Sequence, residues 1–317
     1  MGHAITARFK ALDAAFHARA PRGERLHARF AALAALNAPH DIETLIEKSF
    51  ETRDQLNAGL GPWRSPSRPM RLVFATALVA GGRTAGQFLE ARRALAAQGK
   101  ARGARSLAHG GSCAALSLVT SGGHAWQADQ FFDVLNAIAA PWWQRDAARE
   151  EVLAAAFTGM GETPDDAITH LIRARDALVT AGVPRRHAET AAYEVATTRM
   201  DPAALAGAWT TLNIAVRGRS ALRHGTGKTG LATLAASGNG PAMADALVEA
   251  FEAVGELKPK PDTRTAARLA LRLAQAQAGL ARPIAAAGDL ATILAAQAAM
   301  VTAVTAGAGV VAVGAGG

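Results

Sequence analysis

The stretch of this chain that most resembles a reaction site is His224-Gly225-Thr226-Gly227-Lys228-Thr229-Gly230-Leu231-Ala232. Its Gly-Lys-Thr tail is the ending of a phosphate-binding loop, in which backbone amides cradle a phosphate while the lysine and the hydroxyl meet phosphate and magnesium. The full pattern needs a glycine at 222, where Leu222 stands, and no apolar run ending in a metal-holding aspartate follows. The stretch therefore reads as a connection leading into a helix, and no nucleotide is expected. His109-Gly110-Gly111-Ser112-Cys113 sets two nucleophile types beside a histidine. It lacks the strand and Gly-x-Ser-x-Gly turn that strain and expose a nucleophile, and a small cysteine on a helix is usually buried and inert. The nine histidines form neither a His-Glu-x-x-His pair nor a His/Cys cluster at ligand spacing, so no metal and no cofactor are expected. Asp165-Asp166 and Glu150-Glu151 open helices, where negative charge offsets the dipole, so they read as structural and not as a general acid/base pair. No catalytic residue is assigned.

Behind these residues stands an alanine-dominated chain of 317 residues, half hydrophobic but only 5% aromatic. Alanine is the best helix former, and strands want more branched and aromatic side chains, so the class is all-α. The length suffices for a large core. Lone Cys113 rules out an intramolecular disulfide, which leaves a cytoplasmic location as the expectation.

A repeat organises the helices. Residues 42 to 59 are echoed by 167 to 182, with Arg53-Asp54-x-Leu56 matching Arg175-Asp176-x-Leu178, and looser copies follow the same apolar spacing. These first helices start near 43, 84, 127, 164, 202 and 241, spacings of about 37 to 43 residues that suit paired-helix arrays. Each is followed by an Ala-rich second helix: 70–82, 107–123, 149–161, 187–200, 228–238 and 264–275. Thr163-Pro164 and Asp201-Pro202 supply N-caps before a proline at the first helical position, and Gly81-Gly82 and Gly122-Gly123 close second helices. The expectation is an α-solenoid-like array of about six helix pairs over 41–282. N-terminal helices (1–40) would cap one end and an Ala/Gly-rich segment (283–317) the other.

The register of residues 222 to 254, a loop entering a short apolar helix and then a long amphipathic one, resembles an uncharacterised bacterial helical-repeat family, a domain of unknown function. The resemblance spans 40 to 280. It implies the fold and carries over no activity.

Every connection from a first to a second helix is basic: Arg64, Arg68 and Arg71; Lys100, Arg102 and Arg105; Arg145 and Arg149; Arg185 and Arg186; Arg217, Arg219, Arg223 and Lys228; Lys258, Lys260 and Arg264. With a net charge of +8, this predicts a positive edge for nucleic acid, anionic lipid or an acidic protein. Trp142 and Trp143 sit in the same edge, where they would stack on bases. The competing explanation is compensation of helix C-termini by basic side chains. The expected function is a non-enzymatic binding scaffold. The alternatives are a helical-repeat enzyme acting on nucleic acid, with Asp146 beside the two tryptophans, and peripheral membrane attachment through the uncharged segment 290–317.

Overall fold

The structure, a computed structural model, describes residues 2–62, 64–141, 146–198 and 200–277. Among these residues every regular element is helical. In chain order the helices pair as α1 (Gly2–Arg19) with α2 (Arg25–Ala34), α3 (Ile42–Gly59) with α4 (Met70–Ala80), and α5 (Ala85–Ala101) with α6 (Ser112–Thr120). Then come α7 (Ala128–Ile138) with α8 (Ala147–Met160) and α9 (Pro164–Thr180) with α10 (Arg185–Val195). The last are α11 (Pro202–Ala215) with α13 (Gly225–Ala235), separated by the single turn α12 (Ser220–Arg223), and α14 (Gly240–Gly255) with α15 (Thr263–Gln277).

The starts expected from the repeat fall within a residue or two of α3, α5, α7, α9, α11 and α14. Side chains of Asp41, Thr84, Thr163, Asp201 and Asn239 cap five of them by accepting first-turn amides. One second helix begins late. His109, Gly110 and Gly111 all take positive φ (50°, 61° and 75°), so the chain turns left-handed and α6 starts only at Ser112.

The first helices bury one stripe each, for example Phe88, Ala91 and Leu95 on α5. Most of the second helices are buried more completely, and α4 is covered from Met70 through Val79. The second helices are thus the inner layer. Small residues allow them to touch closely: a Cβ on Gly159 would lie 2.8 Å from the Leu118 carbonyl, and Ser117 donates to the Val152 carbonyl at 2.7 Å. Aromatic pairs fill the space between layers, such as Phe74 edge-on to Phe88 at 5.8 Å.

The N-terminal segment, expected to cover one end, is itself a helical hairpin with neighbours on both sides. Inner contacts run α2, α4, α6, α8, α10, α13, α15 and back to α2, while outer contacts run α1, α3, α5, α7, α9, α11, α14 and back to α1. Polar ties seal the return: Lys10 pairs with Glu256, Arg29 donates to the Pro259 carbonyl at 2.6 Å, and Gln277 donates to Thr6 at 3.4 Å. Each layer therefore closes on itself through seven hairpins. The expected C-terminal segment 283–317 lies outside the described residues.

Candidate functional site

The hairpin order puts the first-to-second connections at one end of both layers, and bonds between successive inner helices bear this out. Ser112 at the start of α6 donates to the Ser65 carbonyl before α4. The Ala108 amide before α6 meets both carboxylate oxygens of Glu151 at the start of α8. His187 and Thr229 share a hydrogen bond at 3.1 Å between the first turns of α10 and α13, and Arg268 of α15 donates to Thr226.

The basic side chains at this end divide into three kinds. Arg64, Arg68, Lys100, Arg105, Arg186 and Arg223 are exposed, as are Arg217, Lys258, Lys260 and Arg264. Others are engaged by neighbours: Arg185 pairs with Glu189, Arg149 with Asp146, Arg219 lies over the Phe251 ring at 4.1 Å, and half-buried Lys228 reaches toward Trp209. Arg102 is clamped by Asp129 and Asp133 of α7, and those hydrogen bonds raise its pKa, so its charge is spent within the fold.

Arg71 corrects the sequence expectation outright. Its side chain is fully buried and donates to the carbonyls of Pro66, Leu60, Gly61 and Arg64 and to Asn57 Oδ1. It ties the α3–α4 connection together and cannot meet a partner. Trp142, Trp143 and Arg145 lie outside the described residues.

Sequence reasoning missed the seventh connection, between α1 and α2, where Arg19, Arg22 and Arg25 are exposed. The signal was present as a run of arginines. With no capping side chain to mark the start of α2, the run reads as part of the capping helices expected over 1–40.

The opposite end differs in charge and in capping. Exposed Asp41, Glu43, Asp165, Asp166 and Asp201 cluster in the first turns of outer helices there. At the basic end, α2, α4, α6, α10 and α13 begin with no side-chain acceptor on their first-turn amides. Cations crowd these starts. His187 has its pKa lowered by burial and then by the charges of Lys228 and Arg186, and Arg92 is lowered by burial and then by Arg64.

The motif candidates resolve into structure. Gly225 through Gly230 lie inside α13, with the Thr229 hydroxyl held by His187 and the Gly225 carbonyl, so no loop wraps a phosphate. Ser112 donates to Ser65 and accepts from Arg92, and the Cys113 thiol is pushed up to about 11 by burial and by Glu151, so neither has an activating base. Glu150 and Glu151 are buried and hold the amides of Ala140 and Ala108. They also line a cavity of about 160 Å³ with Arg105, Leu107, Phe132, Leu135 and Asn136. Among the described residues, no group of His, Cys, Asp and Glu side chains is placed to hold a metal, and no single helix is long and apolar enough to cross a membrane. No family model, curated protein or solved structure matches the chain.

Proposed function

We propose that the chain is a non-enzymatic, cytoplasmic binding scaffold, an α-solenoid-like stack closed by its N-terminal hairpin, that engages an anionic partner with its basic end. The observation that carries this reading is the pairing of exposed cations with uncapped inner-helix starts. Helix C-termini alone would explain the basic residues if compensation were their role. At this end, however, seven inner-helix N-termini alternate with seven outer-helix C-termini. Their dipole charges, about half a unit each, oppose one another. The side-chain cations then stand as net charge, and five inner helices bring their N-termini to the same end without a side-chain cap. Asp146, the carboxylate that an enzyme reading would use, caps α8 and pairs with Arg149, so nothing favours that alternative.

The test is binding to single- and double-stranded DNA and RNA and to phosphatidylserine liposomes across a salt series, with Glu replacing Arg68, Arg105, Arg186 and Arg223. Wild-type binding should weaken steeply with salt. The four reversals should flatten the log–log slope by at least about 3 for duplex DNA, since each lost phosphate contact removes roughly 0.9. Absence of binding to all of these polyanions at low salt overturns the proposal.

A further inference from the structure

A second feature lies at the opposite, acidic end and is independent of the basic one. Trp126 is 78% exposed, the most exposed large hydrophobic side chain among the described residues. It sits in the short turn Ala125–Gln127 that leads into α7. That turn is rigidly held: the Gln127 amide donates to the His124 carbonyl at 3.1 Å while Gln127 Oε1 accepts the His124 amide at 2.9 Å, and Gln127 Nε2 donates to the Thr158 carbonyl at 2.8 Å. The His124 ring stacks against Trp126, centroids 6.5 Å apart and planes within 11°. An indole this exposed has no packing role, and its turn gives it little freedom to fold back onto the surface.

The indole forms one wall of a cavity of about 160 Å³, completed by Gln87 and Glu90 of α5, Val119, Gly123, His124 and Ala125. Gln87 is fixed as well, because its Oε1 closes a capping box with Thr84 and leaves its amide nitrogen as the remaining donor. Glu90 contributes an exposed acceptor one helical turn further along. The wall thus combines a flat π-face with one fixed donor and one acceptor. A cation would be drawn by Glu90 and the indole face, yet it would find the Gln87 amide hydrogens and the N-terminal end of α5 repulsive and could not accept from Gln87. A purely apolar guest would leave the Gln87 amide without a partner inside the cavity.

We propose that this cavity binds a single sugar ring, its C–H face laid on Trp126 and adjacent hydroxyls bridging Gln87 and Glu90. A hydroxyl both donates and accepts, so two neighbouring hydroxyls satisfy an amide and a carboxylate together, as neither an ammonium nor a hydrocarbon does. A pocket of this size and mixed lining fits a small polar ligand oriented by a few fixed groups. The result is a recognition site on a rigid turn, remote from the basic end.

The experiment uses full-length ¹⁵N-labelled protein, following the Trp126 indole N–H, assigned by its loss in Trp126→Phe. The probes are methyl glycosides of glucose, galactose, mannose and N-acetylglucosamine, with agmatine as a cationic control. At least one glycoside should shift the indole signal saturably. Trp126→Ala should weaken that glycoside at least about tenfold, read on the remaining perturbed amides, and Glu90→Ala severalfold. Both changes are at exposed side chains, so unaltered thermal melting should confirm intact folding. No saturable shift with any glycoside, a shift produced by agmatine instead, or full binding retained in Trp126→Ala each overturns the assignment.

Discussion

Replacing Arg71 by Met should cost stability and leave polyanion binding untouched per folded molecule, the reverse of what a surface arginine would do. The guanidinium serves four backbone carbonyls and Asn57, with the shortest bond, 2.7 Å, to Gly61. Gly61, Arg64 and Asn57 lie at exposed positions and can turn to water once the donor is lost, whereas Leu60 and Pro66 are buried. Two buried carbonyls left unsatisfied, at about 1–3 kcal/mol each, minus a little for methionine packing, put the loss near 3 kcal/mol. Against a total of roughly 5–15 kcal/mol, that is a large fraction. Urea unfolding followed by far-ultraviolet circular dichroism measures it directly, and Arg71→Lys should recover part of the loss because an ammonium reaches fewer of the acceptors. A loss below about 1 kcal/mol at unchanged m-value would show that the connection does not depend on this side chain.

His27 predicts an acid-sensitive stability. Its pKa is lowered by burial to about 4 from a usual 6.5. The unfolded state therefore binds the extra proton first, and the contribution, up to about 3 kcal/mol, is complete above pH 6.5 and disappears as pH falls toward 4. Urea midpoints at pH 7 and pH 4.5 should show this loss shrinking in His27→Leu. Gly159→Ala should destabilise by about 1–3 kcal/mol despite the better helix propensity of alanine, because the new methyl meets the Leu118 carbonyl at 2.8 Å and Ser121 Cβ at 2.9 Å. Gly207→Ala, on α11 with nothing within 4 Å, should instead stabilise by about 0.5–1 kcal/mol, and the opposite signs can be read from thermal melts of the two variants. Cys113, buried with its thiol pushed up to about 11, should resist Ellman's reagent at pH 8 in the native protein and react at once in urea; rapid native reaction would contradict its placement.

The helix pairs were legible because two signals coincide in the sequence. Apolar residues at helical spacing mark each face, and Asp, Thr, Gly and Pro mark the ends where the backbone needs a cap or a left-handed residue. Where the second signal failed, so did the reading. The α1–α2 turn has a proline and Gly23 among arginines but no capping side chain, so the seventh hairpin was hidden. The site was legible in charge and not in geometry. Arg71 and Arg102 look like their neighbours in the string, and what separates them is a set of partners elsewhere: loop carbonyls for one, and for the other two aspartates one turn apart on α7, 27 and 31 residues away. Trp126 escaped notice because a lone aromatic before a helix resembles a packing residue. Its exposure depends on how α5 and α7 sit side by side.

The return of α14 and α15 onto the first hairpin has a consequence for synthesis. Thr6 finds its partner Gln277 across 271 residues of chain. At about 5–20 residues per second, the N-terminal hairpin waits roughly 15–50 s after its own emergence before that neighbour exists. Meanwhile the edge of α1 and α2 that will receive α14 and α15, with Arg29 and Lys10 on it, stays open to solvent and to other nascent chains. A chain further along the same message offers the complementary last hairpin, so a polysome is the setting in which two copies can exchange terminal hairpins. A tandem gene fusion of two copies should reveal this as an increased yield of swapped species.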